Sequence, residues 1–224
     1  MLAKTSKASR IKIYAPTFGT GFMQTSPAEE DMPLLKKWPI LGPLPGADQW
    51  EPHRATWWHR SGRRLKVPAI CRSTPSIAVR SGALDQLGPD LASQVEPLPF
   101  SVEGEPWLLL RPRHRLMGID PATCTALRDP PHTGEVRWYG WLNAIDPLAE
   151  AAMIFDTKPG GGLAWVTDEF VRRVKAAGLE GVRFVHSGYL VRDLADAVPD
   201  PTPTGRQITV STRAAMGFLT EEQL

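Results

Sequence analysis

Residues 162–186 carry the clearest structural pattern in the chain. Residues 163–166 are apolar and rich in β-favouring side chains, which predicts a short strand. Thr167 is a typical N-cap, because its hydroxyl can accept a hydrogen bond from a free N–H of a first helical turn. Gly178 suits the left-handed residue that ends a helix, and residues 182–186 alternate as a second strand. The stretch therefore predicts a strand, a short helix and another strand.

The predicted helix is amphipathic. Asp168 and Glu169 place negative charge in its first turn, where the helix dipole favours it. Leu179 follows the terminal glycine and can fold back onto the last turn. The apolar side chains at helical spacing are Phe170, Val171, Val174 and Ala177. This pattern indicates fold but no chemistry, because it contains no nucleophile, no metal-ligand spacing and no phosphate loop.

Proline limits what the rest of the chain can form, with 22 prolines among 224 residues. Because proline interrupts regular elements, we expect few long helices and many loops. The 8 tryptophans can each bury on the order of 200 Å², which supplies core area that long helices do not. The predicted fold class is α+β, with a mostly antiparallel twisted sheet, a few short helices, many loops and a single core.

Composition and periodicity divide the chain into three predicted parts. Residues 1–50 form a loop-rich N-terminal arm packed on the core, since a disordered tail would be poorer in aromatic residues. Residues 51–188 form the α+β domain, in which two strands are joined by a turn at residues 103–106. Residues 189–224 form a C-terminal extension that begins with a proline-rich linker.

Charge and cysteine content exclude several classes of protein. The net charge is only +2, so the chain as a whole has no strong attraction to nucleic acid or anionic lipid. Cys71 and Cys124 do not make a disulfide framework. No apolar run approaches the roughly 20 residues that span a bilayer, and the basic N-terminus lacks the apolar segment of a signal peptide. We therefore expect a cytoplasmic protein.

No catalytic or metal-binding motif stands out. The five histidines are scattered without paired spacing, and a zinc site needs such spacing. Both cysteines lie in sequence typical of small buried hydrophobic residues. A nucleophile elbow and a phosphate-binding loop are both missing from the sequence. We expect no enzymatic activity, no cofactor and no metal.

Charge is nevertheless arranged in blocks. Residues 51–80 are basic, and residues 81–110 contain no Lys or Arg. Mutual pairing of the two blocks is the simplest explanation of the small net charge. Trp57 and Trp58 within the basic block could instead stack on single-stranded nucleic acid, or they could face inward on a strand whose arginines face outward. The acids of the second block are Asp85, Asp90, Glu96, Glu103 and Glu105.

An ordered series of segments is similar to a known family. Its C-terminal members are residues 154–155 (Ile-Phe), 165–170 (Trp-Val-Thr-Asp-Glu-Phe), 176–179 (Ala-Ala-Gly-Leu) and 181–184 (Gly-Val-Arg-Phe). Upstream members are residues 77–81 (Ile-Ala-Val-Arg-Ser), 96–99 (Glu-Pro-Leu-Pro), 107–110 (Trp-Leu-Leu-Leu) and 118–120 (Gly-Ile-Asp). The series resembles the eleventh-type immunity family of bacterial polymorphic toxin systems. It covers about residues 65–186 and departs from the family pattern at residues 121–133.

The resemblance implies a non-catalytic protein that binds and neutralises a cognate toxin, of the kind delivered by type VI or contact-dependent secretion. If that toxin is a nuclease, its cleft is basic, and an acidic face would complement it. The expected toxin-binding residues are then Asp85, Asp90, Glu96, Glu103 and Glu105. A protein–protein adaptor and a nucleic-acid-binding module remain alternatives, and the oligomeric state is open.

Overall fold

The computed structural model describes residues 10–31, 44–58, 65–73, 76–116, 118–119, 124–128, 136–145, 152–157, 164–191, 197–198 and 201. These residues contain fourteen strands, three α-helices and a 3₁₀ turn at Glu29–Asp31. The helices are α1 (Ala83–Gln86), α2 (Pro89–Gln94) and α3 (Asp168–Ala176). The strands are β1 (Ile11–Phe18), β2 (Gln24–Pro27), β3 (Arg54–Trp58), β4 (Ile70–Ser73), β5 (Ser76–Arg80), β6 (Val95–Val102), β7 (Glu105–Pro112), β8 (Arg115–Leu116), β9 (Gly118–Ile119), β10 (Thr125–Arg128), β11 (Val136–Ile145), β12 (Ile154–Thr157), β13 (Trp165–Thr167) and β14 (Val182–Val191).

Six strands form one sheet in the order β2–β3–β6–β7–β5–β4. All its pairings are antiparallel except that of β3 with β6. The sheet curls until its edges nearly meet, and the Thr25 hydroxyl on β2 donates a hydrogen bond of 3.3 Å to Ser73 Oγ on β4. One face becomes the interior of the curl. It is filled by Trp50, Ala55, Cys71, Ala78, Leu98, Phe100, Val102, Trp107 and Leu109.

The other eight strands form a second sheet in the order β10–β11–β14–β1–β13–β12–β8, with β9 also beside β11. Only the β11–β14 and β8–β12 pairings are parallel among these strands. β1 lies between β14 and β13, so part of the segment predicted as an arm is an internal strand of this sheet. Its inner face packs Ile13, Leu116, Leu142, Ala144, Ala152, Phe155, Trp165 and Leu190 together.

A third apolar cluster joins the two sheets and the helices. Ile70 and Ile77 enter it from the six-stranded sheet, Ile154 and Val166 from the eight-stranded sheet, and Phe170 from α3. The architecture is sheet-rich and mostly antiparallel with three short helices among the described residues, and it fits the predicted α+β class only loosely. The single core of that prediction is replaced by three buried clusters among the described residues, because each curled sheet encloses a cluster of its own.

The strand–helix–strand unit agrees with its prediction at the C-terminal end of the helix. Gly178 has φ +64°, and its N–H donates to the Lys175 carbonyl at 3.1 Å. The Leu179 N–H donates to the Val174 carbonyl at 3.1 Å, which completes a Schellman motif. The N-cap prediction is half right. Thr167 occupies the position, but its hydroxyl makes no capping hydrogen bond, because this residue also ends β13 and is buried.

Two proline-containing stretches are regular where loops are common. The sequence between residues 111 and 132 contains the end of β7 and all of β8, β9 and β10. Pro89 begins α2, because proline fits a first helical turn where no N–H bond is needed. Most of the predicted C-terminal extension lies outside the described residues.

Candidate interaction surface

The five acids predicted to bind a partner do not share one face. Asp85 lies on α1, and Asp90 lies on α2. Glu96 is the second residue of β6, whereas Glu103 follows the last. Seven residue steps along extended strand place the Cα atoms of Glu96 and Glu103 about 23 Å apart. Glu103 and Glu105 lie together at the tip of the β6–β7 hairpin.

Asp90 belongs to an ion-pair network that docks α3 on α1 and α2. Arg173 Nη2 donates to Asp90 Oδ2 at 2.9 Å, and Arg173 Nη1 donates to the Leu87 carbonyl at 3.1 Å. Arg173 Nε also donates to Glu169 at 2.8 Å. Hydrogen bonds from Arg172 and then Arg173 lower the pKa of Glu169 to about 2. Asp90 therefore has a structural partner within the chain.

Glu96 is occupied in a similar way. It accepts a hydrogen bond of 3.1 Å from the Ala47 N–H and pairs with the guanidinium of Arg111. Arg111 Nε donates in turn to the Leu44 carbonyl at 2.9 Å. The Ala47 N–H and then Arg111 lower the pKa of Glu96. This carboxylate fixes the segment that precedes β3.

The expected pairing of the basic block with the acidic block is not observed among the described residues. Arg54 pairs with Asp31 and with Glu30, both at 3.2 Å. Lys66 lies 3.9 Å from Glu180. The partners come from outside residues 81–110 because the curled sheets bring distant segments together. Arg60, Arg63 and Arg64 lie outside the described residues.

The hairpin tip is a two-residue turn with an unusual backbone. Val102 pairs with Glu105, and the turn residues Glu103 and Gly104 have φ +50° and +86°. Positive φ at both positions is typical of a type I′ turn, which prefers Asn-Gly. Glu103 is the only non-glycine residue with positive φ in the described part of the chain. Both glutamates are exposed.

Trp58 lies next to this tip at the end of β3. Because β3 runs parallel to β6 and pairs with it only at Arg54 and Ala55, the end of β3 projects past the hairpin. The Trp57 N–H donates to Glu103 Oε1 at 3.4 Å. Trp57 turns inward, with its ring 5.4 Å from that of Trp107.

Trp58 points the other way. It is 39% exposed and is the largest exposed apolar side chain that the structure describes. The alternative in which both tryptophans face inward is therefore wrong for Trp58, because neighbouring residues on a strand point to opposite faces. We call Trp58, Glu103 and Glu105 the hairpin-tip surface.

Two further titratable groups, His53 and Cys71, are buried. His53 is buried, with its ring 5.3 Å from Trp50 and 5.2 Å from Phe100, and burial lowers its pKa. Burial raises the pKa of the Cys71 thiol to about 12, which makes it a poor nucleophile. In the part of the chain that is described, no group of three His, Cys, Asp or Glu residues is placed to hold a metal.

Of the cations that the nucleic-acid alternative would use, Arg54 is paired with Asp31 and Glu30. Within the described ranges, every helix is too short or too polar to cross a bilayer.

Sequence reasoning did not identify the hairpin-tip surface as a unit. One signal was present, since a Glu-Gly pair between alternating strands implies positive φ at the glutamate.

Comparison with models of known protein families gives no match, and no curated protein matches the chain. The resemblance to the immunity family thus rests on the segments quoted above and stays a prediction.

Proposed function

We propose that this chain is a cytoplasmic, non-catalytic immunity protein that binds a cognate bacterial toxin through the hairpin-tip surface and neutralises it by occluding its active site. The class of function comes from the sequence resemblance. The surface comes from the geometry, and the observation that carries it is the strained glutamate at the tip of the hairpin.

Glu103 occupies a backbone conformation that disfavours it. A side chain at φ +50° costs about 1–2 kcal/mol relative to the right-handed region, and Asn or Gly would fit with less strain. The long hydrogen bond from the Trp57 N–H offsets only part of this cost. Strain of this kind concentrates at functional positions, which supports a role for the carboxylate toward a partner outside the chain.

Trp58 supplies the second requirement of a protein interface. Aromatic anchors dominate binding energy in protein complexes, and tryptophan is the most enriched of them. The Trp58 side chain is 39% exposed, while its backbone pairs with Gln24 on β2. An exposed anchor beside two exposed carboxylates suits a partner whose surface is basic around an apolar pocket. The cleft of a nuclease has this character.

Co-expression with the product of the neighbouring gene tests the proposal. The wild-type chain should restore growth and should be captured with that product at a ratio of one to one. The triple variant Trp58→Ala, Glu103→Gln, Glu105→Gln should lose both properties while remaining folded by circular dichroism. The control Asp85→Asn changes an exposed acid on α1 and should behave as wild type. Neither rescue nor capture by the wild-type chain would contradict the proposal.

A further inference from the structure

Arg72 lies at a strand position whose neighbours on the same face are apolar and buried. On the β4–β5 ladder, Ile70 pairs with Val79 and Arg72 pairs with Ile77. Directly paired residues point to the same face of a sheet. Ile70, Ile77 and Val79 are fully buried in the cluster between the two sheets. The Arg72 side chain therefore lies at the margin of this apolar cluster, although its neighbours in sequence suggested an outward-facing cation.

The guanidinium of Arg72 has no acceptor in the described part of the chain. Its central carbon lies 5.2 Å from the centre of the Phe18 ring, within cation–π range. The residue is half-buried, and no hydrogen bond or ion pair with described residues satisfies its N–H groups. Burial alone lowers the pKa of Arg72, without a compensating carboxylate. By contrast, Arg115 Nε and Nη2 lie 2.8 and 2.6 Å from the carboxylate of Asp156.

The five N–H donors of this guanidinium have no acceptor among the described residues, so they are left to water or to a ligand. The planar fork of arginine matches the two oxygens of a carboxylate or a phosphate, and the resulting charge-assisted hydrogen bonds are strong. Stacking on Phe18 holds one face of the guanidinium and leaves its donor edge for a ligand.

Backbone hydrogen bonds fix the segments that carry Phe18 and Arg72. Phe18 ends β1, and the Gly19 N–H that follows it donates to the Gly181 carbonyl at 3.2 Å. Ile70, two residues before Arg72, donates its N–H to the Glu180 carbonyl at 3.3 Å. Gly181 has φ +126°, and a Cβ on it would lie 2.2 Å from Pro68 Cβ. Such a tightly joined seam positions Phe18 and Arg72 before any ligand arrives.

We propose that Arg72 and Phe18 form a binding site for an oxyanion, either a carboxylate or a phosphate group, carried by a ligand outside this chain. The site shares no residue with the hairpin-tip surface and does not depend on the immunity function. Arg72 donates two hydrogen bonds to the oxyanion, and Phe18 supports the face of the guanidinium.

Thermal unfolding of the full chain in inorganic phosphate, in acetate and in chloride at equal ionic strength tests this site. Phosphate or acetate should raise the Tm of the wild-type protein in a saturable way, and chloride should not. A stronger response to phosphate indicates a phosphate-bearing ligand, and a stronger response to acetate indicates a carboxylate. In Arg72→Met the apparent affinity should fall by about tenfold or more. Arg80→Met, which changes an exposed arginine on β5, should respond as wild type.

Two further comparisons separate binding from a structural role. Without added anion, Arg72→Met should unfold at the same or a higher temperature than wild type, because it removes an unpaired charge and keeps contact with Phe18. Arg72→Lys keeps the charge but loses the fork, so its phosphate affinity should lie between those of wild type and Arg72→Met. The site is overturned if the saturable response is missing in wild type or unchanged in Arg72→Met, or if Arg72→Met alone strongly lowers the Tm.

Discussion

The acids on α2 and at the start of β6 resemble those at the hairpin tip in sequence but differ in their hydrogen-bond partners. Asp90 meets Arg173, and Glu96 meets Arg111. Among the described residues, the Glu103 carboxylate accepts a hydrogen bond from the Trp57 N–H, and Glu105 is exposed at the start of β7. In the first pair, Asp90 joins α2 to α3, and Glu96 joins β6 to the segment that precedes β3. The second pair faces solvent beside an exposed tryptophan, so acids at the two ends of β6 are expected to affect different measurements.

The largest effect is expected at the hairpin tip and on binding. Trp58→Ala should weaken affinity for the partner by about 2 kcal/mol or more, which is about 30-fold, because it removes the proposed anchor. Isothermal titration with the purified partner measures this change, and the Tm should stay near that of wild type. Val67→Ala alters another exposed apolar side chain and should leave affinity unchanged. Equal losses in both variants would remove the special role of Trp58.

Loss of the Arg173 ion pairs should instead change stability and leave partner affinity unaltered. Arg173→Met removes two ion pairs and the hydrogen bond to the Leu87 carbonyl, and the side chain is only 22% exposed. The free energy of unfolding should fall by about 2 kcal/mol, as measured by urea denaturation, with partner affinity unchanged. Arg172→Met loses only an exposed pair with Glu169 and should cost clearly less. A loss of partner affinity in Arg173→Met without a loss of stability would break the comparison.

Replacing the strained glutamate should separate stability from binding at a single position. Glu103→Asn fits the type I′ turn and should raise the free energy of unfolding by about 0.5–1 kcal/mol, while partner affinity falls. Chemical denaturation and titration of the same sample measure both quantities. The matched change Glu105→Gln lies outside the strained turn position and should not stabilise. Destabilisation by Glu103→Asn would show that the carboxylate serves the fold.

The smallest expected effect is a dependence of folding stability on pH in the acidic range. The pKa of Glu169 is lowered from 4.5 to about 2 in the folded protein, so the unfolded chain binds its proton first as the pH falls. The stabilisation is complete above pH 4.5 and should be lost progressively between pH 4.5 and about 2. Glu169→Gln should flatten this part of the curve of stability against pH. Because Glu169 is partly exposed, added salt should weaken the dependence, and an unchanged slope in the variant would contradict the assignment.

Local features were predictable from sequence because local rules determine them. The helix of the strand–helix–strand unit ends at Gly178 as predicted, since a left-handed residue is needed there and glycine supplies it. The β6–β7 hairpin follows from alternation and a Glu-Gly turn. Sheet order was not predictable, because β1 pairs with β14, as at Ile11 and Leu190, across most of the chain. Nothing in local periodicity records a pairing of that range.

The candidate sites divide in the same way. The strain at Glu103 could have been inferred from the turn sequence. The partner of Asp90 could not, because Arg173 reaches it only through the folded arrangement, whereas Arg111 lies opposite Glu96 across the β6–β7 hairpin. The lack of an acceptor for Arg72 among the described residues could not be inferred from sequence, because it depends on where every acid lies in the folded chain.

Growth rescue by two matched triple variants tests the central claim most directly. One variant carries Trp58→Ala, Glu103→Gln and Glu105→Gln, and the other carries Asp85→Asn, Asp90→Asn and Glu96→Gln. Each is co-expressed with the neighbouring gene product at equal levels of folded protein. We predict that the first variant loses rescue and the second keeps it. Rescue by the first and failure of the second would place the toxin-binding surface around Asp85, Asp90 and Glu96 and contradict the account.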